Sequence, residues 1–215
     1  MHLSEPQLLS IPVDDVHIEG MLALPGEACG LVLLAPGHDS SRHDPTGSAV
    51  AKALNEQGVG TLVLDLLTVA EMLDYHTRFD LSLLTHRLLV VTGWVKLNTP
   101  ALHLPLGYLG ANTGAAAALQ AAAALGNDIS AVVSRGGRPD LAGQHDLSKV
   151  TAPTLLLVGS RDEDVLALNH AACAQLACTK SVSIVAGASQ AFDEPGALDA
   201  LVRQTTEWFA KHLPR

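Results

Sequence analysis

Apolar positions along the chain alternate between two rhythms. "GLVLLAPG", "VGTLVLDLL", "LPLGYLG", "ISAVVSRGG" and "APTLLLVGSRD" are short apolar runs of the kind found in strands buried on both faces, and "KSVSIVAGA" reads as a further strand. Between them lie longer stretches with apolar residues three and four apart. Pro45 to Gln57 stops at Gly58, Leu81 to Leu97 ends before Pro100, an alanine-rich stretch follows Gly114, and Ala197 to Leu213 comes last. "QLLSIPV" and "VHIEGMLALP" flank a turn at Asp14 and Asp15 and predict an antiparallel hairpin. Strands alternating with helices predict an α/β protein with one mostly parallel sheet and helices on both faces. No linker, repeat or low-complexity tract interrupts residues 1–215, which read as a single domain.

Composition narrows the partners. Of 215 residues, 48% are apolar and only 16% charged, which suits a globular core. A formal net charge of −9 repels nucleic acid and anionic membrane, so neither is expected as a partner. Cys29, Cys173 and Cys178 lack metal-ligand spacing and suit reduced thiols better than a disulfide framework. No metal or other cofactor is expected. "MHLSEPQLLS" lacks the basic start and apolar core of a signal peptide, and the run Ala115–Leu125 is too short to span a bilayer. The expectation is a cytoplasmic protein acting on a small molecule, with self-association into a homo-oligomer left open.

The unusual residues fall where the strands end: "APGHDSSRHD", "DLLT", "GANTG", "SRGGRPD", "GSRDED" and "GASQAFDEPG". Ligands of parallel α/β sheets bind at those carboxyl ends, so one shared pocket accounts for all six. Within "GYLGANTGAA" a strand, a tight turn and a helix follow in the order that presents a catalytic nucleophile. The residue at the apex is Asn112.

The order and character of these segments resemble the dienelactone hydrolase-like branch of the α/β-hydrolase family, some of whose members carry similar "SSRH", "DLLT" and "SRGGRPDLA" segments. The resemblance implies an α/β-hydrolase fold with an eight-stranded sheet. It also implies a Ser, Asp, His triad in that chain order, acting on esters or lactones. The family's G-x-S-x-G elbow falls on Gly110, Ala111, Asn112, Thr113 and Gly114, matching at every position except the serine. The acid falls on Asp162, and the histidine on Gln190. The oxyanion hole would use the amides of Thr113 and His38, the latter following Pro36-Gly37 where the family usually has His-Gly.

A carboxamide neither becomes an alkoxide nor titrates near neutrality, so Asn112 and Gln190 could hold polar geometry around Asp162 without supplying nucleophile or base. Three readings follow. The chain has lost serine chemistry and binds a small anionic or neutral ligand or acts as a partner subunit; or it is an ester or lactone hydrolase using another nucleophile or an activated water; or the two residues were introduced to trap a substrate. His38, Ser40, Ser41 and His43 share the loop after the third strand, where a relocated Ser-His pair is one option and simple loop bracing the other. Arg42, Arg135 and Arg138 also lie on strand-end loops. They would bind an anion together with His43, or brace the loops, Arg135 and Arg138 by pairing with Asp65 and Asp140.

Overall fold

The computed structural model describes residues 5–37 and 41–213. The hairpin forms from β1 (Gln7–Val13) and β2 (Val16–Ala23), with Asp14 in the turn at φ 50°, a conformation that short polar side chains tolerate. The apolar runs become β3 (Leu31–Ala35), β4 (Gly60–Leu64), β5 (Leu106–Ala111), β6 (Ile129–Arg135), β7 (Thr154–Gly159) and β8 (Lys180–Val185). They join the hairpin in one eight-stranded sheet of order β1-β2-β4-β3-β5-β6-β7-β8, in which β2 runs against both neighbours and the strands from β4 to β8 are parallel.

Helices cover both faces. They are α1 (Pro45–Glu56), α2 (Tyr75–Arg78), α3 (Leu81–Asn98), α4 (Thr113–Leu125), α5 (Gln144–Leu147), α6 (Glu163–Gln175) and α7 (Ala197–His212). Their starts are chemical. The carboxylates of Asp44, Asp80 and Asp162 accept backbone N–H groups at the first turns of α1, α3 and α6, satisfying donors that have no partner inside the helix.

Strand alternation sorts the core into two layers. Leu31, Leu33 and Ala35 of β3 face the layer shared with α3 and α4, whereas Val32 and Leu34 face the layer shared with α1 and α7. In the first layer Tyr108 is fully buried with its hydroxyl 2.7 Å from that of Thr92, and burial pushes the phenol above its usual range. No helix among the described residues is long and apolar enough to cross a membrane.

Between β4 and α3 the chain makes an excursion through a 3-10 turn at Glu71–Leu73 and the single turn of α2. One ion pair holds it down. The buried Arg87 guanidinium of α3 donates to both Glu71 carboxylate oxygens at 2.6 and 2.7 Å and to the Leu66 carbonyl at 2.9 Å. Thr68 adds its N–H and hydroxyl to the same carboxylate at 2.8 and 2.9 Å. The Arg87 hydrogen bonds, followed by those of Thr68, hold the Glu71 carboxyl at about 2, against the opposing effect of burial.

Because the folded value lies below the unfolded value of roughly 4.3, this pair stabilises the fold fully above that pH and loses its contribution as pH falls toward the folded value. Thermal melts between pH 6 and 2.5 should therefore show a progressive loss that Glu71→Gln lacks. The same substitution should lower stability at pH 7 by about 3 kcal/mol, because it leaves the Arg87 charge buried without its counter-ion.

Candidate functional site

The elbow is built by close backbone approach. Asn112 links β5 to α4 at φ 48° and ψ −120°. The positive φ is what the glycine-flanked turn leads one to expect. Its ψ lies far from the left-handed helical value of roughly +47°, however, so the tolerance that asparagine shows there does not apply and the residue is strained. The glycines make room for this. A Cβ on Gly110 would stand 2.4 Å from the Ala115 Cα, and one on Gly114 would stand 2.3 Å from the Pro36 carbonyl oxygen. The Asn112 carbonyl accepts the N–H groups of Ala115 at 3.2 Å and Arg138 at 3.1 Å, tying the turn to the loop after β6. Its side chain makes no capping bond to α4.

Asn112 is half-buried and opens onto a cleft of about 570 Å³ that it shares with Asp44, Thr46, Arg135, Ser189 and Gln190. Gln190 reaches the Gly136 carbonyl through a long 3.4 Å hydrogen bond. Its loop is pinned from below. Phe192 is buried in the α1/α7 layer, while Glu194 accepts the Ser189 N–H at 2.9 and 3.0 Å and pairs with Arg161 at 3.2 Å. The Ser189 N–H is the main cause of a Glu194 carboxyl held below its ordinary value. Asp162 sits one residue from Arg161, whose N–H donates to the Ala188 carbonyl, so the loops after β7 and β8 adjoin. The Asp162 carboxylate accepts the Val165 N–H at 3.4 Å as the α6 cap.

The arginines do not gather. Arg42 pairs with Asp65 through both its backbone N–H and its guanidinium, and with Glu19 at 2.7 Å, beside a second cavity lined by His43, Leu66 and Met72. Arg138 forms a two-pronged pair with Asp140 at 2.9 Å, as expected for a brace. Arg135 departs from expectation. It pairs with Asp44 at 3.0 Å, not with Asp65, because the end of β3 lies beside β4 and brings Arg42 to Asp65 first. Of the three, Arg135 is the one that lines the Asn112 cleft.

Thr113 opens α4, with its hydroxyl buried and without a hydrogen-bond partner among the described residues. His38, whose amide was expected to complete an oxyanion hole, and Ser40 lie outside the described residues. Ser41 accepts the backbone N–H of His43 at 3.2 Å, so that contact braces the loop and does not couple hydroxyl to imidazole. Asp44, Ser189 and Asp193 also line the cleft and were not anticipated. Asp44 had a legible signal as the residue before Pro45 at a helix start. The other two had none beyond their place after a strand.

A parallel-centred sheet with this elbow at its middle strand defines an α/β-hydrolase-fold protein. A dienelactone hydrolase from Anabaena variabilis is 45% identical, with 98% of this chain and 100% of that one covered and a TM-score of 0.92. The chain belongs to the dienelactone hydrolase family. Est1E from Butyrivibrio proteoclasticus shares the fold at a TM-score of 0.81 and 18% identity, over 95% of this chain and 98% of that one. Two Mycobacterium tuberculosis proteins bearing the name "Putative phosphoribosyl transferase" are 44% identical over 209 residues. That match takes in 97% of this chain but 46% of theirs, so the chain spans about half the length of these curated relatives. The chain matches no family model.

The geometry of the turn makes two expectations measurable by urea unfolding. Asn112→Gly should stabilise by about 1 kcal/mol through relief of the strained φ/ψ. Gly114→Ala should destabilise by about 3 kcal/mol, since its methyl group meets backbone oxygens that cannot move aside.

Proposed function

We propose that this chain is a dienelactone hydrolase-like protein with a degenerate triad, one that binds a small carbonyl-bearing ligand and does not turn it over by serine chemistry. The observation that carries the reading is the strained elbow with a carboxamide at its apex. Asn112 stands where a nucleophile is presented, and Gln190 lies in the same cleft where a base would be. Neither side chain has an ionisable proton in the useful range. The two amides offer donors and acceptors to an ester, a lactone or the corresponding acid.

Anion recognition narrows in this reading to Arg135. All three arginines have carboxylate partners, but Arg42 and Arg138 lie outside the cleft whereas Arg135 lines it, where its partner Asp44 and Asp193 put two carboxylates beside one guanidinium. The cleft therefore suits a neutral or singly charged ligand better than a dianion. The phosphoribosyl transferase name belongs to proteins about twice as long as this chain, and the reading rests on the cleft at the elbow.

Restoring the chemistry tests the reading. The unaltered chain should show no fluorophosphonate labelling and no acyl-enzyme burst with activated esters, since both require a basic, exposed serine oxygen. Asn112→Ser and Gln190→His should each give little alone, and the pair should restore labelling at residue 112, a strongly non-additive outcome. Steady-state ester hydrolysis by the unaltered chain, abolished by a His43 or Asp162 substitution and indifferent to Asn112→Ala, would establish a working hydrolase with another nucleophile instead.

Calorimetry with a lactone and its ring-opened carboxylate isolates Arg135. Arg135→Ala should weaken binding of the carboxylate by about 2 kcal/mol and leave the lactone nearly unchanged. Equal carboxylate affinities for the parent chain and Arg135→Ala would make the arginine a brace for Asp44.

A further inference from the structure

The strained turn at Asn112 sets up chemistry within the chain itself. An asparagine loses its side-chain nitrogen when the amide nitrogen of the next residue bonds to its Cγ. This closes an imide ring made of Cα, Cβ, Cγ, the backbone carbonyl carbon and that nitrogen. Cβ stands about 120° around the Cα–C bond from the backbone nitrogen of its own residue. At ψ −120°, therefore, the Cα–Cβ bond of Asn112 eclipses the bond to the Thr113 nitrogen. Every ring atom but Cγ is then already in one plane, and Cγ has only to swing toward the nitrogen. A helical residue, with ψ of roughly −42°, holds that nitrogen far out of the plane.

The reacting groups are also available. The Asn112 carboxamide makes no hydrogen bond among the described residues, so nothing holds Cγ away from the ring. Thr113 opens α4, where a helix leaves its N–H groups without internal partners, and its N–H has no other partner among the described residues. The positive end of the helix dipole favours the nitrogen once it has lost its proton. Residue 112 lines the cleft of about 570 Å³, which admits the water that the second half of the reaction consumes. Asn98 supplies the contrast. A threonine follows it too, but it is the last residue of α3 and its amide donates to the Trp94 carbonyl at 2.8 Å.

We propose that Asn112 is a self-modification site, at which the folded elbow converts the asparagine to an aspartate through an imide with Thr113. The Thr113 nitrogen gives its proton to solvent and bonds to Cγ; the Cγ–Nδ2 bond breaks, and Nδ2 takes up a proton and leaves as ammonia. Water then adds at Cγ, the bond to the Thr113 nitrogen breaks, and that nitrogen recovers its proton. One water is consumed and one ammonia released, with nothing oxidised or reduced. The product adds a carboxylate to those of Asp44 and Asp193 in the lining that Arg135 shares, and a carboxylate is a nucleophile where a carboxamide is not. The conversion stands apart from the ligand reading, because it needs no ligand.

Mass spectrometry on the full chain tests it. One tryptic peptide, residues 97–135, carries both asparagine–threonine pairs. During incubation at mildly alkaline pH, residue 112 of the folded chain should gain one mass unit at least tenfold faster than residue 98. In urea, where the turn is lost, that lead should vanish. Asn112→Gln, whose ring would need one more member, should stay intact at residue 112. An Asn112 that only keeps pace with Asn98 in the folded chain, or outlasts it, would overturn the proposal. So would a lead that persists in urea, or a glutamine variant that converts at the parent's rate, which would mean direct attack by water.

Discussion

The approach of α4 to the ends of β3 and β5 governs everything at the carboxyl edge of the sheet. At Gly114 the helix lies against the carbonyls of Ala35 and Pro36, and at Gly110 the strand lies against the first turn of the helix. No side chain fits at either place. The residue between is forced into a backbone conformation that glycine alone adopts without cost. The strain is sustained by the burial of a whole alanine-rich helix, Ala115 through Ala118 among it, against the central strands. The expensive part of this site is therefore its backbone, and it persists whatever side chain stands at residue 112.

Much of this was legible in the residues alone. The apolar runs are strands because a parallel strand buried on both faces has no polar side to show, and all eight residues of "GYLGANTG" lie in the strand, turn and helix order that their spacing suggests. The hairpin turn and the aspartate-led helix starts were local chemistry and equally readable. The short α2 was not, since one turn of helix is too brief to display a period of 3.6 residues. Nor was the strained ψ of Asn112, which arises from the packing of α4 and not from any preference of asparagine.

The partners of the arginines were legible only in part. Arg138 and Asp140 are two residues apart, and their pairing needs no knowledge of the fold. Arg42 meets Asp65 because β3 and β4 are neighbours in the sheet although a whole helix separates them in the chain. Arg135 reaches Asp44 over the end of β5. Sheet order decides such pairs, and sheet order is a long-range property that spacing does not encode.

Asp44 joins two parts of the molecule that folding must otherwise bring together separately. Its carboxylate accepts the N–H groups of Thr46 and Gly47 at the start of α1, and at the same time holds Arg135, 91 residues further along the chain. The wall of the cleft and the first turn of a core helix thus share one anchor. Neither can loosen without removing a partner from the other, so they belong to a single cooperative opening unit. On the slow timescale of native-state amide exchange, the amides of α1's first turn and the backbone around Arg135 are then expected to open together.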